Sequence, residues 1–234
     1  MQKTILNSVL TVAIVTAVGC SNPADNVAEA QVNEPAPPAA PAVASTNEAA
    51  VPAAVAPVAA AAKSYAITAE SKVDFLASKA IGGETPGGFK KFVGQLNAVG
   101  GNFEPQGSKI VIDIGSIYTG SQKLTDHLKN EDFFDVGKFP TATFAATKIE
   151  SMTEDANKNK VTGDLTMHGV TKSISFPATV SVSDDTVSVK AEFFINRFDF
   201  DMKYAGKADN LIRKEVVIKL DVKAAPGAAD FKTL

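Results

Sequence analysis

Few side chains in this sequence are suited to chemistry. Among 234 residues there are two histidines, His127 and His168, one cysteine, Cys20, and two arginines, Arg197 and Arg213. The histidines lie 41 positions apart, and no H-x-x-x-H spacing or cysteine pair supplies the ligands of a zinc site. No Gly-x-Ser-x-Gly turn is present to raise a serine nucleophile beside them. His168 precedes Gly169, a pair that suits a hairpin turn because glycine takes positive φ freely. The expectation is therefore a non-enzyme, with no catalytic residue and no metal site. Arg197, flanked by Asn196 and near Asp199, is read either as a structural ion pair or as a contact to a ligand headgroup.

Cys20 has a different context. Met1-Gln2-Lys3 gives a short positive start, and Ile5 to Val18 is a 14-residue run of apolar and small polar residues. That run is short for a membrane span and fits a secretory signal. It ends Ala17-Val18-Gly19-Cys20, which resembles a bacterial lipobox, although Ala17 stands where leucine is commonest. Residues 1–19 are read as a lipoprotein signal peptide and Cys20 as the lipidation site, with several acyl chains giving stable anchoring where one would be marginal. Ser21 after the cysteine points to the outer membrane, facing the periplasm; the alternative is cleavage at an ordinary signal site and a soluble periplasmic or secreted protein. Residues 20–63 are Ala/Pro-rich, with 17 alanines and seven prolines between Ser21 and Ala62. Such composition offers little apolar area against chain entropy, so the segment is read as a disordered tether.

The 14 phenylalanines and 3 tyrosines all lie from Tyr65 onward, and from residue 63 on the 22 bases balance 22 acids. A neutral domain argues against a nucleic-acid partner. Period-two alternation dominates there. Ile174, Phe176, Ala178 and Val180 alternate with polar residues, as do Val187, Val189, Phe193 and Ile195, and Val216, Ile218, Leu220 and Val222. About eight strands follow, near 65–81, 88–99, 108–118, 141–151, 158–168, 171–183, 186–197 and 212–224. Short gaps imply a meander, and eight meandering strands close into an up-and-down barrel that has no exposed edge. Ser121 to Phe134 breaks the period; Leu124 and Leu128, four apart, predict a short helix capped by Ser121. Its apolar edge, with Phe133, Phe134 and Phe139, is placed to plug one barrel end. Adjacent Phe133 and Phe134 are expected to split, one inward and one onto a neighbour or dimer partner. Gly82 to Gly88, with four glycines in seven residues, lacks the Lys-Ser/Thr ending of a phosphate loop and is read as a mobile loop at the barrel mouth or a plain hairpin connection.

Three blocks carry a resemblance. Leu128-Lys129-Asn130-Glu131-Asp132-Phe133-Phe134-Asp135-Val136 runs on to Lys138-Phe139-Pro140-Thr141-Ala142-Thr143-Phe144. Val161-Thr162-Gly163-Asp164-Leu165-Thr166-Met167-His168-Gly169-Val170-Thr171-Lys172 follows, then Asn196-Arg197-Phe198-Asp199-Phe200. In order and spacing this resembles the YceI-like family of bacterial envelope proteins over about 65–225, departing at Asp201, where glycine is common. The resemblance implies an all-β fold, an eight-stranded antiparallel lipocalin-like barrel with one short helix between strands, over residues 64–225, leaving 226–234 as a tail. It implies no cofactor beyond a bound polyisoprenoid or isoprenoid quinone, and often a homodimer. Phe75, Phe92, Phe134, Phe144, Leu165, Met167, Phe176, Phe193 and Ile195 are then expected to line the lipid-binding lumen. From the residues alone, a core filled by those side chains is the favoured reading, since eight strands leave an interior just wide enough for side chains or for one ligand; the resemblance shifts it to a lipid-filled lumen. The reading is a membrane-tethered lipid binder; a structural or stress-response module with a packed barrel, or a lipid-acting enzyme using either histidine, are the alternatives.

Overall fold

The alternating segments become strands that pair in sequence order. The computed structural model describes residues 22–35, 62–81, 83–152, 157–204 and 211–234. Its strands are β1 (Ala28–Glu29), β2 (Gln31–Asn33), β3 (Lys63–Ile67), β4 (Lys72–Lys79), β5 (Glu84–Phe89), β6 (Phe92–Val99), β7 (Asn102–Asp113), β8 (Ile117–Thr119), β9 (Thr141–Ser151), β10 (Lys158–Met167), β11 (Val170–Val182), β12 (Val187–Asn196) and β13 (Ile212–Pro226).

Three long barrel strands are each broken once, into β3–β4, β5–β6 and β7–β8. The pairing continues across the breaks: Tyr65 faces Leu96 and Val73 faces Phe89 on one side, while Phe92 faces Ile112 and Phe89 faces Ile117 on the other. With β9 to β13 this makes a closed antiparallel barrel of eight strands, the fold expected from the sequence. β13 closes it, pairing with β12 from Val187↔Ala224 to Asn196↔Glu215 and with β4 and β3 on its other edge. The interior holds one large apolar cluster around Ile174, Phe176, Phe193 and Ile195, and a smaller one around Tyr65, Leu96 and Val222 at the other end. Tyr65 is buried and its hydroxyl donates to the Ser183 carbonyl at 3.0 Å, tying the first barrel strand to the β11–β12 turn.

The hairpin between β10 and β11 turns at His168 (φ 51°) and Gly169 (φ 76°). Both central residues have positive φ, which matches the twist of the flanking strands.

Two expectations are corrected. The strand placed at 88–99 begins at Glu84, so Gly87 and Gly88 lie inside β5 and not in a loop. The cause is steric: a Cβ on Gly87 would sit 2.3 Å from the Phe75 ring and 2.6 Å from the Tyr118 carbonyl oxygen. Glycine here lets a ring lie flat across the neighbouring strand. The second correction is at the N-terminus. Part of the stretch read as tether is structured: β1 runs parallel to β12, and β2 antiparallel to β11. Backbone pairing supplies what the composition lacks, and Ala30 is small enough to be buried between the two strands. Residues 1–21, including Cys20, and 36–61 lie outside the described residues.

Candidate functional site

Helix α1 (Gln122–Leu128) is capped as expected, with the Ser121 hydroxyl accepting from the Leu124 amide at 3.5 Å. It stops after two turns, the short helix expected. Asp135 adopts φ 44°, and the chain folds back through amide bonds from Phe134 to Leu128, Asp135 to Asn130 and Val136 to Lys129. Buried Thr125 accepts from the Thr119 amide at 3.0 Å and fixes the helix to β8. This knot sets Leu124, Leu128, Phe133 and Phe134 over one end of the barrel.

Beneath it lies a cavity of about 190 Å³. Phe75, Phe89, Phe133, Phe134, Met167, Ile195, Val216 and Ile218 form most of its wall, with Leu124 and Leu128 as its roof. Polar groups are few: Ser78, Lys79, Thr85 and Arg197. A second cavity, of about 40 Å³, lies towards the other end, against Leu96, Phe103, Phe144, Val161, Phe176 and Val222. At the level of Phe144 and Phe176 the interior is filled by rings. Phe176 stacks on Phe193 at 4.1 Å with 11° between planes, and Phe144 leans on Phe176 at 5.5 Å. Gly163 makes room for this group, since a Cβ there would meet the Phe144 ring at 2.4 Å.

Of the nine residues expected in the lumen, Phe75, Phe134, Met167 and Ile195 line the larger cavity, and Phe144 and Phe176 the smaller. Phe193 belongs to the ring stack. Leu165 packs on the core, and Phe92, half-buried at the first position of β6, lines neither cavity. Phe92 is in phase with inward Gly94 and Leu96, but it sits at the break between β5 and β6 and stays half-buried. The expected split of Phe133 and Phe134 is also corrected: both face the cavity. Phe133 stacks on Tyr204 at 5.3 Å, and Phe134 meets Phe89 edge-on at 6.1 Å. Sequence reading missed Phe89, Met202, Val216 and Ile218. The last two lay in an alternation already seen on β13; Phe89 was hidden by the glycines before it.

The groups that invited other chemistry are engaged in structure. His127 Nε2 lies 3.2 Å from Asp132 Oδ2, with its ring edge-on to Phe133 and Tyr204. His168 Nδ1 is 3.1 Å from the Phe200 carbonyl oxygen, and its ring lies edge-on to Phe139. No cluster of three potential metal ligands exists among the described residues. Arg197 is 3% exposed and donates to the carbonyls of Met202 (2.5 Å), Arg213 (3.3 Å) and Ile212 (3.3 Å), which ties the end of β12 to β13 beside the cavity. Displaced titrations sit on the outer surface. Asp184 is held below the usual carboxylate range, and Lys63 above its usual value, by the hydrogen bond and attraction between them at 2.5 Å. Burial, then the hydrogen bond to Asp74, pushes the Tyr118 phenol up.

The comparisons with known proteins agree with this architecture. The model of the YceI-like domain matches residues 65–224. A UPF0312 protein of Pseudomonas putida strain GB-1 is 32% identical over 141 residues, covering 57% of this chain and 71% of that protein. Among solved structures, Burkholderia cenocepacia BcnA superposes with a TM-score of 0.57 at 30% identity, over 67% of this chain and 98% of its own. A polyisoprenoid-binding domain from Saccharophagus degradans, 18% identical with a TM-score of 0.55, covers 70% of this chain and 98% of its own, and shares the fold. With the family model matching more than half of its length, the chain belongs to the YceI-like family.

Proposed function

We propose that the barrel binds a polyisoprenoid or isoprenoid-quinone lipid without catalysis, in a protein tethered to the bacterial outer membrane, facing the periplasm, through Cys20. The observation that carries this reading is the larger cavity, about 190 Å³, with apolar walls and roof and few polar groups. Methyl-rich surface is all that an isoprenoid offers, and each buried methylene-sized unit contributes about 0.8 kcal/mol. The domain from Saccharophagus degradans, described as polyisoprenoid-binding, supports the ligand class by analogy of fold. The anchor rests on the sequence pattern before Cys20 alone.

A second reading, a structural module with a packed barrel, has a specific observation in its favour. Pockets for drug-sized ligands measure about 300–1,000 Å³, and both cavities here are smaller. A long chain requires the Phe144–Phe176–Phe193 group to turn aside and join them. The sequence has no tryptophan, so Phe134→Trp places a single reporter at the cavity. Saturable change of its emission with added polyprenol, absent from a Tyr118→Trp control on the surface, supports the lipid reading. No change in either variant favours the packed barrel. Labelling of the intact chain with radioactive palmitate, lost in Cys20→Ser, tests the anchor.

A further inference from the structure

Around the barrel two neighbouring pairs of long strands are bonded over only part of their length: β7 with β9, over Lys109–Asp113 and Thr141–Ala145, and β11 with β12, where alone another segment of the chain is inserted. β11 and β12 pair directly only over Thr179–Val182 and Val187–Lys190, next to their turn. Beyond that they diverge, although β11 stays paired to β10 from Val170 to Thr179, and β12 to β13 throughout. The gap is filled by residues 28–33. Ala28 and Glu29 lie beside Phe193 and Phe194, and the Ala30 amide donates to the Phe194 carbonyl at 2.9 Å. Gln31, Val32 and Asn33 lie beside Ser175, Ile174 and Ser173.

This inserted strand is held weakly. Of its side chains only Ala30, 2% exposed, and half-buried Val32 reach the core, and both are small. The Glu34–Lys172 ion pair beyond its end joins a mostly buried Lys172 to a largely exposed Glu34, whose solvation and freedom weaken the pair. What it covers is apolar: Ile174, Phe193 and Ile195, in the same cluster as Met167 and Met202 of the cavity wall. A solvent-filled valley lined by Glu29, Val32, Glu34, Val170, Lys172 and Phe198 runs along its outer side, so water already reaches the strand. Local opening takes the least stable segment first, and a short ladder with two small apolar anchors is such a segment.

We propose that the divergence of β11 and β12 is a lateral portal into the lumen, and that residues 28–33 are the strand that closes it. The strand leaves, an apolar chain slides in between Ile174 and Phe193, and the strand returns over it. The proposal rests on the lumen reading above. Its test is a cross-strand lock, Asn33→Cys with Ser173→Cys, in the full chain carrying Cys20→Ser so that the new pair is its only thiols. The two positions are register partners, close enough for a disulfide. Decaprenol uptake from detergent is expected to slow about tenfold or more when the pair is oxidised and to recover on reduction. Equal rates in both states overturn the portal. If the unlocked chain takes up no lipid, the lumen reading is what fails, and amide exchange then decides the portal alone. The Ala30 amide exchanging about 100-fold faster than the interior of β10 supports an opening seam; exchange as slow as β10 overturns it.

Discussion

Phe144, Phe176 and Phe193 occupy the place where a chain-like ligand must pass. Their alternation was legible in the sequence; their stacking was not, because alternation gives the face of a strand but no cross-barrel neighbour. Phe144→Ala should enlarge the smaller cavity and free the Phe176 ring to turn aside. It should cost about 3–5 kcal/mol of stability in urea unfolding, as large core truncations do, while raising lipid uptake. Glycines carry the complementary information. At Gly87, crowded by the Phe75 ring and by the Tyr118 carbonyl, alanine meets backbone that cannot yield. Gly87→Ala should therefore destabilise by about 1–3 kcal/mol, measured the same way. Asp201, the residue that departs from the family's common glycine, has φ 53°. The family pattern thus reflects a backbone requirement, and Asp201→Gly should be neutral or raise stability by up to about 1 kcal/mol.

At the scale of elements, β10 to β13 were read within a residue or two, because each alternates cleanly between short turns. The breaks in β3–β4, β5–β6 and β7–β8 were not read. They arise where long strands bend around the closing barrel, a tertiary demand that local pattern does not record. Helix α1 was legible from Leu124 and Leu128, four apart, and so was its short length; the fold-back after it was not, since it is built by backbone hydrogen bonds that no side-chain pattern records. Its Ser121 cap has a long hydrogen bond, so Ser121→Ala should cost about 0.5 kcal/mol, at the low end for caps. The largest miss is β1 and β2. Composition cannot show that a weakly apolar stretch will find two open strand edges, and only the divergence of β11 from β12 explains it. Ala30→Arg should expel this strand, lower the melting temperature and increase binding of an apolar dye, because a charge has no partner against Ile174 and Phe193.

For the whole molecule, neutrality of the domain and surface pairs set the pH response. Asp184, Glu70, Glu150 and Asp201 are all held below the usual carboxylate range, foremost by hydrogen bonds from Lys63, Lys223, Lys148 and Lys203. A lowered folded pKa adds stability that is present above the unfolded value and lost as pH falls through the folded one. Melting temperature should therefore stay level near neutrality and fall only below the ordinary carboxylate range. Exposure keeps each contribution small, and molar salt should reduce it further. Fold and family were legible because eight alternating strands and three motif blocks agree; the size of the lumen was not, because it depends on side-chain packing. The central claim, a lipid in that lumen, is tested most directly by native mass spectrometry of the freshly purified chain before and after organic extraction. The account predicts an extractable hydrophobic adduct with an isoprenoid mass, restored on adding back the extract. A bare chain that also takes up no added polyprenyl lipid would contradict it.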